Sequence, residues 1–228
     1  MPSRKKTTMF ASAFVTCVCS FLIICVVLAT QHWMSSKVYF SGTNSSQSTA
    51  SLTYGLFRGT CEQLVGGELQ VSERTFQVAD ILNNTKAKST ITAIIVFLVL
   101  SLLSSLLSSG FTCTNAVSNP YQTFLGPVGV YTWNSLCGIF TLIAMILFPV
   151  NIEEYDLSVE LARGCFPSLQ SHIKSEHSYG YSYWIMLVII FLNSASIIII
   201  YFYDHARYSK QKKQERPIEN APKDVILF

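Results

Sequence analysis

The chain has 228 residues, half of them apolar and only 13% charged, with a formal net charge of +3. A soluble domain carries about 25% charged residues and covers its outside with polar groups, so this composition excludes an ordinary water-soluble fold. It gives no reason to expect a nucleic-acid partner and points to an integral membrane protein.

Residues 1–8 hold the basic cluster Arg4, Lys5 and Lys6 and lead into a first apolar stretch, 9–30. At about 1.5 Å per residue such a stretch crosses a hydrocarbon core about 30 Å thick. Val27-Leu28-Ala29 would suit a signal-peptide cleavage site, but a signal h-region spans only about 7 to 15 residues. The run is therefore read as a retained membrane anchor.

Residues 31–89 form a long first loop. Within it, Ser51–Arg58 and Glu68–Val78 are rich in strand formers, and Gly66-Gly67 between them reads as a turn. A small antiparallel sheet lying on the bundle is expected. The loop carries two glycosylation sequons, at Asn44 and at Asn83, together with Trp33 at the end of the first span and Cys61.

From Ser89 to Ile152 the chain contains no Asp, Glu, Lys, Arg or His. A central charge in lipid costs roughly 2.5 to 3.5 kcal/mol on insertion scales, so this block reads as two spans, 90–112 and 128–150, joined by a short turn, 113–127. The second span places Ser101, Ser105 and Ser109 in one row of small residues and Ser104, Ser108 and Thr112 in another. Close backbone approach and hydroxyl hydrogen bonds hold helices together in lipid, so this is the expected packing face, with a homodimer seam as the alternative. Asn134 and Asn193 are expected to bond between helices. Cys113, at the end of the second span, is a palmitoylation candidate.

The second loop, 151–180, begins with a segment suited to a helical extension of the third span ending near Gly164. It holds Cys165, the partner expected for Cys61 if the two loops share an oxidising compartment; otherwise the two stand as separate thiols. His172 and His177 lie nearby, but their spacing matches no standard metal site. The fourth span, 181–203, is flanked by Tyr179, Tyr181, Tyr183 and Trp184 at its start and by Tyr201 and Tyr203 at its end, which read with Trp33 as interfacial belts.

The tail, 204–228, carries Arg207, Lys210, Lys212, Lys213, Arg216 and Lys223. With the N-terminal cluster these cations place both termini in the cytoplasm and both long loops outside. The apolar segment ending Ile226-Leu227-Phe228 offers Ile226 and Phe228 to a PDZ-type groove by strand addition.

The fold expected is an all-α membrane protein, a four-helix bundle bearing a small extracellular antiparallel sheet from the first loop. The segments Met1-Pro2-Ser3, Tyr54-Gly55-Leu56-Phe57-Arg58-Gly59, Asn119-Pro120-Tyr121, Leu125-Gly126-Pro127-Val128-Gly129 and Ile226-Leu227-Phe228 resemble the clarin family along nearly the whole chain. The resemblance implies a claudin-like four-helix protein, in a family associated with sensory hair-cell maintenance. Trp33, Gly55-Leu56-Phe57 and Cys61 also resemble the claudin pattern of a Trp, then Gly-Leu-Trp, then paired cysteines. Here the second aromatic is Phe and the second cysteine of that loop is absent. The tetraspanin Cys-Cys-Gly motif is missing.

No phosphate loop, zinc-protease helix or nucleophile elbow is present, so no enzyme activity, cofactor or metal is expected. The reading is a plasma-membrane protein that organises other membrane proteins through its outer sheet and its tail, with lipid as its medium and self-association open. A claudin-type barrier protein and an auxiliary channel subunit are the alternatives.

Overall fold

The computed structural model describes residues 4–41, 47–65, 68–117, 126–169 and 171–219. Four helices are long and apolar enough to cross a membrane: α1 (Arg4–Ala29), α3 (Thr85–Val117), α4 (Pro127–Glu154) and α6 (Tyr181–Glu219). They outrun the apolar stretches that mark them, because a helix continues past the lipid wherever its end is satisfied. At the start of α3, Asn84 Oδ1 accepts from the Lys86 N–H at 3.0 Å and caps the first turn. Pro127 opens α4 at the position where a missing N–H costs nothing.

The helices form a ring in which α1 packs against α3 and α6, and α4 packs against the same two. Their outward faces are apolar and open, as at Val15, Ile146 and Phe191, the last 71% exposed. These are the surfaces a bilayer covers.

Five antiparallel strands cap one end: β1 (Met34–Ser41), β2 (Gln47–Tyr54), β3 (Arg58–Val65), β4 (Glu68–Gln77) and β5 (His172–Tyr179), in the order β4-β3-β2-β1-β5. Burial alternates along β1, with Met34, Ser36, Val38 and Phe40 facing inward and Ser35 and Lys37 outward. Two short helices, α2 (Val78–Ile81) and α5 (Leu157–Cys165), fill the space between sheet and bundle.

The sheet departs from the expected one in three ways. β1 and nearly all of β3 come from stretches not read as strand. The fifth strand comes from the second loop and pairs with β1, Lys37 opposite Glu176. The segment 51–58 is the end of β2, a turn and the first residue of β3, because Leu56 is drawn into the core (1% exposed) and cannot lie in a pleat. The helical extension after the third span is also broken in two. Asp156 adopts φ 48°, a left-handed conformation that Asp tolerates, so α5 leaves at an angle to α4.

One apolar cluster joins the inner sheet face to the adjacent half of the bundle, with Trp33, Met34, Leu52, Leu56, Ile94 and Phe148 among its members. A second, smaller cluster of Phe10, Ala13, Ala116, Val130 and Ile200 closes the opposite end. Polar side chains lie between them.

Candidate functional site

The sheet offers a polar outer face at one end of the bundle, and its seat fixes how it is presented. Trp33, expected in an interfacial belt, is instead fully buried: its indole N–H donates to Val27 O at 2.9 Å and its ring meets Phe148 edge-on at 5.0 Å. Its backbone N–H donates to Tyr54 O and its carbonyl accepts from Gly180 N–H, at 3.1 and 2.9 Å. One residue thus ties the end of α1 to β2 and to the start of α6.

The motif Tyr54-Gly55-Leu56-Phe57 is the docking turn itself. Gly55 N–H donates to Arg58 O at 2.9 Å, and a Cβ on Gly55 would strike Thr30 O of the α1 terminus. Glycine is therefore needed for close approach. Leu56 plugs the core while Phe57 stays 49% exposed.

Beneath the sheet a hydroxyl cluster links four elements. Tyr54 Oη lies 2.7 Å from Ser158 Oγ, which lies 3.0 Å from Ser36 Oγ, which in turn lies 2.9 Å from His177 Nδ1. Burial pushes the Tyr54 phenol up to about 12, so it stays neutral. Partial burial holds the His177 imidazole below its ordinary value, against the upward pull of Asp156 and Glu153. Ser36 and Ser158 are each 1% exposed, so the hydroxyls lie under the sheet and serve as a joint between β1, α5 and the exposed His177 of β5. Sequence reasoning passed over Ser36 and Ser158; the alternation of Met34, Val38 and Phe40 around Ser36 was the signal for an inward hydroxyl.

Cys61 on β3 and Cys165 at the end of α5 are joined as a disulfide across a Cα separation of 6.7 Å. It binds the sheet to the second loop. Gly164 beside it is another close approach, because a Cβ there would overlap the Ile81 side chain of α2.

Midway along the bundle the polar side chains meet. Cys17 of α1 reaches Ser108 of α3 at 3.3 Å, Asn134 of α4 at 3.4 Å and Ser196 of α6 at 3.6 Å. Asn134 also donates to Ser108 Oγ at 2.6 Å. In the neighbouring layer Asn193 Nδ2 donates to Ser20 Oγ at 3.0 Å and to Cys137 Sγ at 3.3 Å, and Ser101 Oγ meets Thr141 Oγ1 at 2.8 Å. Ser105 Oγ donates to Cys17 O at 3.1 Å. Interhelical hydrogen bonds in lipid average about 0.6 kcal/mol, so the set acts as a modest, distributed glue.

Ser101, Ser104, Ser105 and Ser108 are all buried on this inner face and are closed to a second copy of the chain. Ser109 does not share their position; its hydroxyl bonds Leu106 O of its own helix. A row of every fourth residue drifts by about 40° per step around a helix, which carries Ser109 off the inner face.

Asn83 is exposed just before α3, with its backbone N–H donating to Glu160 Oε1 at 2.7 Å. Asn44, Ile226 and Phe228 lie outside the described residues. Cys113 is a free, exposed thiol four residues before the end of α3. Among the described residues no group of three or more His, Cys, Asp or Glu is placed to hold a metal.

A family model described as Clarin-2-like matches residues 5–200. The chain is similar to Clarin-3 of Homo sapiens, at 47% identity, and to Clarin-3 of Mus musculus, at 46%, in each case over 228 residues and the whole of both chains. Clarin-2 of Homo sapiens is 26% identical over 209 residues, 88% of this chain and 89% of the relative. With that coverage and a claudin-like arrangement of four membrane-length helices under a small sheet, the chain belongs to the clarin family and is a multi-pass membrane protein.

Proposed function

We propose that the chain is a non-enzymatic organiser of membrane protein complexes at the plasma membrane, with its sheet outside the cell and both termini in the cytoplasm. The observation that carries this reading is the rigid presentation of the sheet. Its outward face is polar, with Ser35 and Lys37 exposed and Thr49, Ser51 and Thr53 half-buried. Its two outer strands, β4 and β5, each have a neighbour on one side only. An edge with unpaired backbone groups is a template for a partner's strand. The disulfide and the Trp33 joint hold that edge in a fixed attitude to the bundle. On the cytoplasmic side Ile226 and Phe228 offer a second contact, to a PDZ-type scaffold.

The charge distribution supports the orientation, since segments 1–8 and 204–228 carry nine cations and the parts of them that are described, the start of α1 and the end of α6, lie at the end opposite the sheet. Glycans at Asn44 and Asn83 follow from that orientation. Replacing both by Gln should abolish any glycosidase-sensitive mass shift, and a shift that persists would reverse the assignment of sides.

Proximity labelling in native tissue tests the organiser reading. Reproducible recovery of particular membrane proteins is expected, and the recovery should fall when the sheet is unseated by Cys61→Ser with Cys165→Ser. Recovery of no membrane protein above background would sink it.

A further inference from the structure

Lys88 sits one residue before the charge-free block and carries the last charge of α3 on the sheet side. Two apolar clefts open on either side of it. One, of about 570 Å³, runs between the end of α1, the Leu56–Arg58 turn and α3, with Leu28, Leu56, Ile91 and Ile95 on its walls. The other, of about 750 Å³, lies on the opposite flank of α3 over Ala93, Val96 and Phe97. Leu82, Lys88 and Thr92 line both.

The mouths are cationic: Lys88 lines both and Arg58 the first, and among the described residues no carboxylate lines either. Glu160 is turned to the Asn83 and Asn84 N–H groups. Lys88 Nζ donates to Ala79 O at 3.0 Å, which uses one of its three N–H groups and holds the ammonium over the ridge between the clefts. From Lys88 to Phe97 is nine residues, about 13 Å along a helix, most of one leaflet of a core about 30 Å thick.

We infer that these clefts hold one two-chain phospholipid of the leaflet on the sheet side, its phosphate between Lys88 and Arg58 and one acyl chain in each cleft. The shape decides the occupant. A cationic mouth formed by Lys88 and Arg58 above two apolar channels, set where headgroups meet hydrocarbon, matches a lipid with one phosphate and two tails. A partner helix would need a single continuous groove, and the ridge of Lys88 and Thr92 divides this one. The inference rests on membrane insertion and does not depend on the organiser reading.

The test reconstitutes the full chain in phosphatidylcholine nanodiscs containing a photoactivatable phosphatidylcholine probe, and maps the adducts by mass spectrometry. Adducts should concentrate on residues 28–31 and 82–97, well above those at lipid-facing Phe191. Lys88→Gln with Arg58→Gln, which removes both charge-assisted contacts to the phosphate, should lower cleft labelling by about tenfold per cation lost and leave Phe191 unchanged. Ile95→Trp, which fills one cleft and keeps both cations, should lower it as well. A one-chain lysophosphatidylcholine probe should label more weakly, and excess inorganic phosphate should not compete. Unchanged helicity and thermal unfolding in mild detergent show that each variant is folded. Labelling no greater than at Phe191, indifference to all three substitutions, or cross-links from the clefts to a second protein chain would each overturn the assignment.

Discussion

Loss of the Cys61–Cys165 bond gives the sharpest test of how the sheet is held. The two residues are 104 apart in sequence, and the chain-entropy relation for a closed loop of that length gives about 4.7 kcal/mol. That figure assumes a wholly flexible intervening chain, whereas α3 and α4 stay helical in the bilayer when the sheet opens. Twenty-four residues separate Cys61 from Thr85 and eleven separate Glu154 from Cys165. A flexible length of about 35 residues lowers the contribution to about 3.8 kcal/mol. At tenfold per 1.4 kcal/mol, that is roughly a 500-fold rise in the population of the open sheet. Hydrogen–deuterium exchange of the peptide 47–65 in nanodiscs reads this population directly, with α3 as the internal reference. The variant with both cysteines changed to Ser should exchange its β2–β3 amides several hundred-fold faster, while α3 is unaffected. An increase below tenfold would refute the reasoning, because it would mean that the hydroxyl cluster and Trp33 seat the sheet without help from the bond.

Three further outcomes follow from the same geometry. The His177 imidazole is held below its ordinary value of 6.5 and is neutral in the fold, so its contribution is present above that value and fades as pH falls through and below it. Exchange at β5 should therefore rise on acidification, and His177→Gln should flatten the profile; an unchanged profile in that variant would assign the acid response elsewhere. Asn134→Ala and Asn193→Ala should each destabilise the bundle in a denaturing-detergent titration by about 0.6 to 1.7 kcal/mol. The Asn134 change should cost more, since both ends of its amide have partners while Asn193 Oδ1 is buried without one; the reverse order would contradict the polar layer. Gly164→Ala should cost about 1 to 3 kcal/mol by overpacking, read as thermal unfolding in mild detergent, and Ile81→Ala should recover most of it. Failure of that rescue would mean the clash with Ile81 is not the cause.

The helices were legible because lipid imposes a strong and simple filter: apolar runs of the right length with no charge. Their ends were not, since hydropathy registers the hydrocarbon while a helix stops where its backbone groups find caps, as at Asn84. In the sheet, Glu68–Gln77 was visible from its strand formers. The strand His172–Tyr179 was hidden, because HIKSEHSY has no apolar alternation and is held by backbone pairing to β1. The apolar run Gly55-Leu56-Phe57 looked like strand and is a turn, because its leucine packs downward into the helices, a tertiary demand that local propensity does not register. In the bundle, residue type marked the inner face of α3 well, and only the drift of a strict four-residue row misplaced Ser109.

The stitching at Trp33 and Gly180 has a mechanical consequence. Strand β5 ends at Tyr179 and α6 begins at Tyr181, with Gly180 alone between them. Gly180 N–H is pinned to Trp33 O and Ser182 N–H to His32 O, at 2.9 and 3.2 Å. No slack separates the edge of the sheet from a helix of 39 residues, about 58 Å long. A pull or tilt applied to the outer strand is therefore delivered to the opposite end of α6 as leverage, through a hinge that offers almost no play.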